Sequence, residues 1–430
     1  MTPEAQKKIR GMVELAMSYV VEPQPLSVPA IPETLEALIE QLNSGLNLNG
    51  TKDSAVKQQQ QQQEEEEEVW DGQTFGVRLA GLGKLFSNDI TKVSLACKPP
   101  ADSKTVIGMI DALAETSFRL AGFVESIPVK ITGQTYKREI QMLANNIFLA
   151  TAGLLNEFLD DKVENVAQIQ SQNRDMNAVI PELIGAAKTS GATSTPSSSE
   201  ARSTAATKDG YLVKTGIVWE ACEIFEQASR SNREAIAKKW GDMMSTMEDA
   251  ISEVQEMIDS NDDKADAGDG HDDNEDDGDE SGNESDDSWN DDEKMTEEEK
   301  QLSIRANALL KLTRLLFKKL QQRCLDTQPS IAVESSSTSV SLKPSDLARM
   351  WDQLYDRAKG IVAMADEIAT SLYSPQDQAA VVSLLQELSR KNNDCILVGR
   401  LFIRGQAEHE KWMDMCEAQS KKILDTVSQP

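Results

Sequence analysis

The feature that most constrains this chain is a row of apolar residues at Leu347, Trp351, Leu354, Ala358, Ile361, Ala365, Ile368 and Leu372. Steps of four and three alternate along it. That puts every one of these side chains on a single stripe of an α-helix, where a strand would scatter them over both faces. Such a stripe has to be covered, either inside a helical bundle or along a seam with a second chain. The same spacing recurs at Ile9, Met12, Val13, Ala16 and Val20, and at Val106, Ile110, Leu113, Ser117, Leu120 and Val124. No segment sustains a period of two, and aromatics are only 5% of the chain, so sheet is not expected.

Start signals agree with helices. Thr296 and Glu299 have capping-box spacing and open a helix around 301–323. Ser374, Pro375 and Asp377 read as cap, first helical residue and first-turn acid of another helix. The fold class is all-α, with eight to eleven helices in two antiparallel bundles at 1–187 and 211–427. The chain has 430 residues, room for more than one core. Residues 188–210 read as a Ser/Thr-rich linker. Long disordered insertions are expected at 49–68, with its six glutamines and five glutamates, at the acidic stretch 259–292, and at 328–343.

The net charge of −28 is concentrated in one place. Residues 259–299 hold 21 acids against Lys264 and Lys294, so they carry −19 and leave −9 for everything else. Nothing offers the basic surface that a phosphate backbone requires, so direct nucleic-acid binding is not expected. No apolar run is long enough to span a membrane, and the first ten residues are too polar for a signal peptide. Five scattered cysteines without a CxxC pair read as reduced core thiols, and the expected location is cytoplasm and nucleus.

Residues for catalysis are missing. The two histidines, His271 in the acidic stretch and His409 in a charged helix, read as solvated, and nucleophile–His or metal–His sets lack partners. Gly81 and Gly83 sit inside a helical pattern and suggest a close helix crossing rather than a phosphate loop. Trp219 and Cys222, three residues apart, read as core anchors. No cofactor, metal or enzymatic activity is expected. The acidic stretch reads as a solvated linker or as a docking strip for basic proteins. Ser260, Ser281 and Ser288 each have an acid three residues on, the arrangement that acid-directed kinases prefer, and are candidate phosphorylation sites.

Four elements bear a family resemblance. They are Val218–Trp219–Glu220–Ala221–Cys222, Trp289–Asn290–Asp291–Asp292, the helix 308–320 with Lys318–Lys319, and a run containing Asp366, Ser371, Tyr373 and Pro375. In this order the chain resembles the cyclin-D-interacting (GCIP) family. The resemblance extends more weakly over 103–159. It implies two bundles of the vinculin or talin kind, and protein partners such as cyclins or helix-loop-helix factors. The implied activity is negative regulation of cell-cycle entry or transcription by sequestering those partners. A cytoskeletal or adhesion scaffold, and a histone-chaperone-like role of the acidic stretch, are the competing readings.

Overall fold

A computed structural model describes residues 1–20, 71–164, 166, 210–266, 295–326 and 344–427, with only the backbone described at 262–266. The expected insertions at 49–68 and 328–343, the linker at 188–209, and the acidic stretch from 267 to 292 lie outside these residues. The described residues are helical and contain no strand. The helices are α1 (Pro3–Ser18), α2 (Gly72–Cys97), α3 (Ser103–Glu125), the single turn α4 (Val129–Thr132), α5 (Gln134–Asn156), α6 (Gly210–Glu226) and α7 (Asn232–Asp266). They continue with α8 (Glu297–Leu320), a π-helical turn (Gln321–Leu325), α9 (Pro344–Ser371), α10 (Gln378–Phe402) and α11 (Ala407–Val427).

The chain divides into two compact units at Asn232 and Arg233. In the first, α6 packs on α2 and α5, α1 packs on α3 and α5, and α2 packs on α3. The second bundle was expected to open at 211. Instead α6 belongs to the first, because Thr215, Val218, Cys222 and Phe225 are buried there. The expected start of the acidic insertion at 259 is corrected as well. The backbone stays helical to Asp266. The core stripe Trp240, Met243, Met247, Ala250, Val254 and Ile258 holds α7 in the core, and extending a formed helix costs little per residue.

The second unit packs α9 on α10, α8 on α10 and α11, and α10 on α11. The α7 stripe joins the same core, where the Trp240 indole stacks near Phe317 and donates to its carbonyl at 3.3 Å. The heptad row on α9 is bundle core rather than a dimer seam. Leu354, Ala358, Ile361, Ala365, Ile368 and Leu372 are all buried, while Leu347 and Trp351 at the open end are half-buried.

Several polar groups inside the bundles are paired. In the first unit Asp89 accepts from Thr116 at 2.7 Å, and Ser94 bonds Thr215 at 2.9 Å. Helix α5 starts at Gly133, which has φ 90° and no side chain to cap with. Asn232 supplies the cap from far along the chain, its Oδ1 accepting the Tyr136 N–H at 2.9 Å. A Cβ at Gly133 would lie 2.2 Å from that amide.

Two outcomes follow for stability. Leu354→Ala should cost about 2–5 kcal/mol in denaturant unfolding and leave the mass in solution unchanged. Gly133→Ala meets both the positive φ and the Asn232 amide. It should destabilise the first unit by at least about 1–3 kcal/mol, read as a lowered first transition in thermal melts.

Candidate protein-interaction site

Helices α2 and α6 run antiparallel in close contact. A Cβ at Gly83 would lie 2.8 Å from Glu226 and 3.3 Å from the Cys222 carbonyl, so the glycine permits the crossing. Gly81 has open space around it and takes no part. On α6 the buried stripe is Thr215, Val218, Cys222 and Phe225. Trp219 follows Val218 by one residue, about 100° round the helix. It therefore lies at the edge of the packed face rather than in the core where the sequence placed it. Its indole is 46% exposed and donates to Thr91 Oγ1 of α2 at 3.1 Å.

Other apolar side chains are left uncovered in the same region. Leu95 lies one turn past Thr91 on α2 and is 69% exposed. Leu212, two turns before Trp219 on its stripe, is 54% exposed, and the adjacent Val213 is 67% exposed. Leu95, Leu212 and Trp219 thus border one side of the α2–α6 seam. Single exposed apolar residues are ordinary, but several along one seam form a patch of the kind protein partners cover. The sequence reading missed Leu95, Leu212 and Val213. The available signal was that they are apolar yet out of phase with the buried stripes.

The signature residues on α9 serve a different purpose. Asp366 is exposed at the surface, and the Ser371 hydroxyl donates to the Ile368 carbonyl at 2.8 Å. The Tyr373 hydroxyl donates to Glu253 of α7 at 2.7 Å, and that bond, ahead of burial, raises the phenol above its ordinary value. The turn through Ser374 and Pro375 is clasped by the buried Glu299. One Glu299 oxygen accepts the Gln376 N–H at 2.8 Å; the other accepts the Thr296 N–H at 2.8 Å and the hydroxyls of Thr296 and Ser374. The expected cap is therefore corrected. Ser374 and Gln376 face Glu299, and Asp377 caps α10 by accepting from Ala380 N at 3.0 Å. Burial alone would raise the Glu299 carboxyl, but these four donors outweigh it and hold the group below its ordinary value.

All five cysteines are buried. Burial pushes Cys222 up to about 12, with Glu226 adding to it, so a reactive thiolate is disfavoured. Ala221 is half-buried beside Cys222. His409 is half-buried rather than solvated; burial first, then Arg323 and Lys319, lower its basicity. Ser260 is exposed and its hydroxyl donates to the Glu256 carbonyl at 2.7 Å. His271, Ser281, Ser288 and Trp289 lie outside the described residues. Among the described residues no group of three or more His, Cys, Asp or Glu is placed to hold a metal ion, and no helix is long and apolar enough to cross a membrane. A cleft of about 480 Å³ between α1 and α3 is open and bridged by the Lys8–Asp111 ion pair, with no catalytic grouping.

Glu299 gives a pH-dependent test. Its folded-state value lies below the ordinary 4.5. Its contribution is therefore fully present above that pH and is lost as pH falls through the folded-state value. Glu299→Gln should cost about 1.5–3 kcal/mol at pH 7 in urea unfolding. It should also flatten the loss of stability that the parent chain shows on acidification below about pH 4.5.

Two family models match in sequence. The model described as Grap2 and cyclin-D-interacting, N-terminal, matches residues 189–260, and its C-terminal counterpart matches 271–396. The first match holds Trp219, Ala221 and Cys222; the second holds Trp289, Asp366, Ser371, Tyr373 and Pro375. The weaker resemblance over 103–159 falls outside both. No curated protein matches the chain. Both halves of this pair match in order along the chain, which supports its membership of the Grap2 and cyclin-D-interacting family.

Proposed function

We propose that this chain is a non-enzymatic regulator that binds cyclin-type or helix-loop-helix proteins and, by sequestering them, restrains cell-cycle progression or transcription. The family name supports protein binding, and the observation that carries the reading is the uncovered apolar border of the α2–α6 seam around Trp219. A helix laid along that seam would bury Leu95, Leu212 and Trp219 together, the mode by which amphipathic helices dock into grooves. Sequestration needs no reaction centre. It requires that the bound partner surface be withheld from its usual ligands, which a tryptophan-anchored apolar patch supplies. The chain acts where such partners reside, in cytoplasm and nucleus.

The test is binding of purified full-length chain to a purified D-type cyclin and, separately, to a purified helix-loop-helix factor. Changing Leu212 and Trp219 together to serine should weaken binding at least about tenfold, since two anchors of this size account for more than 1.4 kcal/mol. Circular dichroism of the variant should match the parent, and its melting temperature should fall only slightly, since Leu212 is exposed and Trp219 loses one bond to Thr91 at the edge of the packed face. Unchanged affinity for both partners would remove the seam as the site. A parent chain that binds neither partner would end the sequestration reading.

A further inference from the structure

In a chain of net charge −28, residues 300–325 hold seven bases and no acid. Most of that stretch is α8. Its inner face is core: Leu302, Ala306, Leu309, Leu310, Leu316 and Phe317 are buried. Its outer stripe is Ile304, Ala308, Lys311, Leu315 and Lys318, in steps of four and three, all exposed. Ile304 is 40% and Leu315 53% exposed. The charge on this face is only partly met by neighbours. Arg314 pairs with Glu248 of α7 at 2.8 Å, but Lys311 donates to the neutral amide oxygen of Gln255 at 2.9 Å. Lys319 lies 5.5 Å over the Trp412 ring, and Lys318 faces solvent. Apolar residues alternating with unneutralised lysines match a segment that is acidic and has an apolar anchor.

The chain contains such a segment. Residues 267–294 hold 14 acids against Lys294, and Trp289 is their sole aromatic. They join Asp266, where α7 ends, to Met295, just before α8. Helices α7 and α8 are antiparallel, with Asn261 bonded to the Met295 carbonyl at one end and Trp240 to the Phe317 carbonyl at the other. Both ends of the segment are therefore held at the start of α8. The 24 residues of α8 span about 36 Å. Fourteen extended residues, half of the segment, reach about 47 Å, so a loop out and back can run the length of the helix. Trp289 is six residues from Met295, a reach of about 20 Å, and Ile304 lies about 10 Å along the helix. Tethering gives the segment an effective concentration on the order of millimolar at this face.

We propose that the outer face of α8 is the docking site for residues 267–294 of the same chain. Trp289 packs by Ile304, and the carboxylates preceding it lie along Lys311 and Lys318. Glu297 and Glu298 repel carboxylates at the first turn, which leaves those two lysines as the charged contacts. An acidic segment from any other protein then binds α8 only by displacing the tethered one.

Carbodiimide coupling of the full-length chain, followed by peptide mass spectrometry of the monomer fraction, tests this. Lys311 and Lys318 should couple to carboxylates within 269–293, and the yield should fall several-fold between 0.05 and 0.5 M salt, on the order expected for screened surface charges. Ile304→Asp with Leu315→Asp, which leaves both lysines in place, should lower the yield several-fold without altering the melting curve. Coupling of these lysines only to carboxylates outside the segment overturns the proposal. So does coupling confined to the dimer fraction, which would make a second copy the occupant, or a yield indifferent to salt and to the double variant.

Discussion

Each long helix among the described residues depends on covering an apolar stripe. Most of these helices would be marginal alone in water, and burial of the stripe is what holds them. The α9 row illustrates the consequence. From Leu354 to Leu372 its apolar side chains lie inside the second bundle, and Leu347 and Trp351 are only half-covered where the bundle opens. The same requirement fixes the division of the chain. Helix α6 stays with the first unit because its stripe finds α2 and α5, whatever lies between it and α5 in sequence.

Packed helices leave few places for polar groups, and several of those present work as joints. Asn232 caps α5 across a long sequence separation, and Glu299 gathers donors from Thr296, Ser374 and Gln376. The Tyr373–Glu253 bond joins the same turn to α7. Residues that look like a functional signature in the sequence are therefore partly a device for closing the second bundle. The surfaces proposed for binding lie elsewhere, on the α2–α6 border for partners and on the outer face of α8 for the chain's own acidic segment.

The core was readable because periodicity reports burial directly. The stripe Val106, Ile110, Leu113, Ser117, Leu120 and Val124 is buried at every position. The Thr296–Glu299 box also forms as its spacing indicates. The failures share one cause. Trp219 was placed in the core because it lies three residues from Cys222, yet its position about 100° from Val218 puts it at an edge. Ser374 was read as a cap because the local signals for Ser and Asp are equivalent. What displaces it is Glu299, distant in sequence, which claims Ser374 and the Gln376 N–H. His409 looked solvated among charged neighbours, but its burial comes from other helices.

By itself the sequence determined that the chain is helical and which faces of α1, α3 and α9 turn inward. These follow from residue type and from spacing within one helix turn. Tertiary structure alone decided which bundle α6 joins, that Glu299 clasps a distant turn, and which apolar residues remain uncovered. Those outcomes depend on which helices meet and in what register, and contacts between residues remote in sequence leave no periodic trace along the chain.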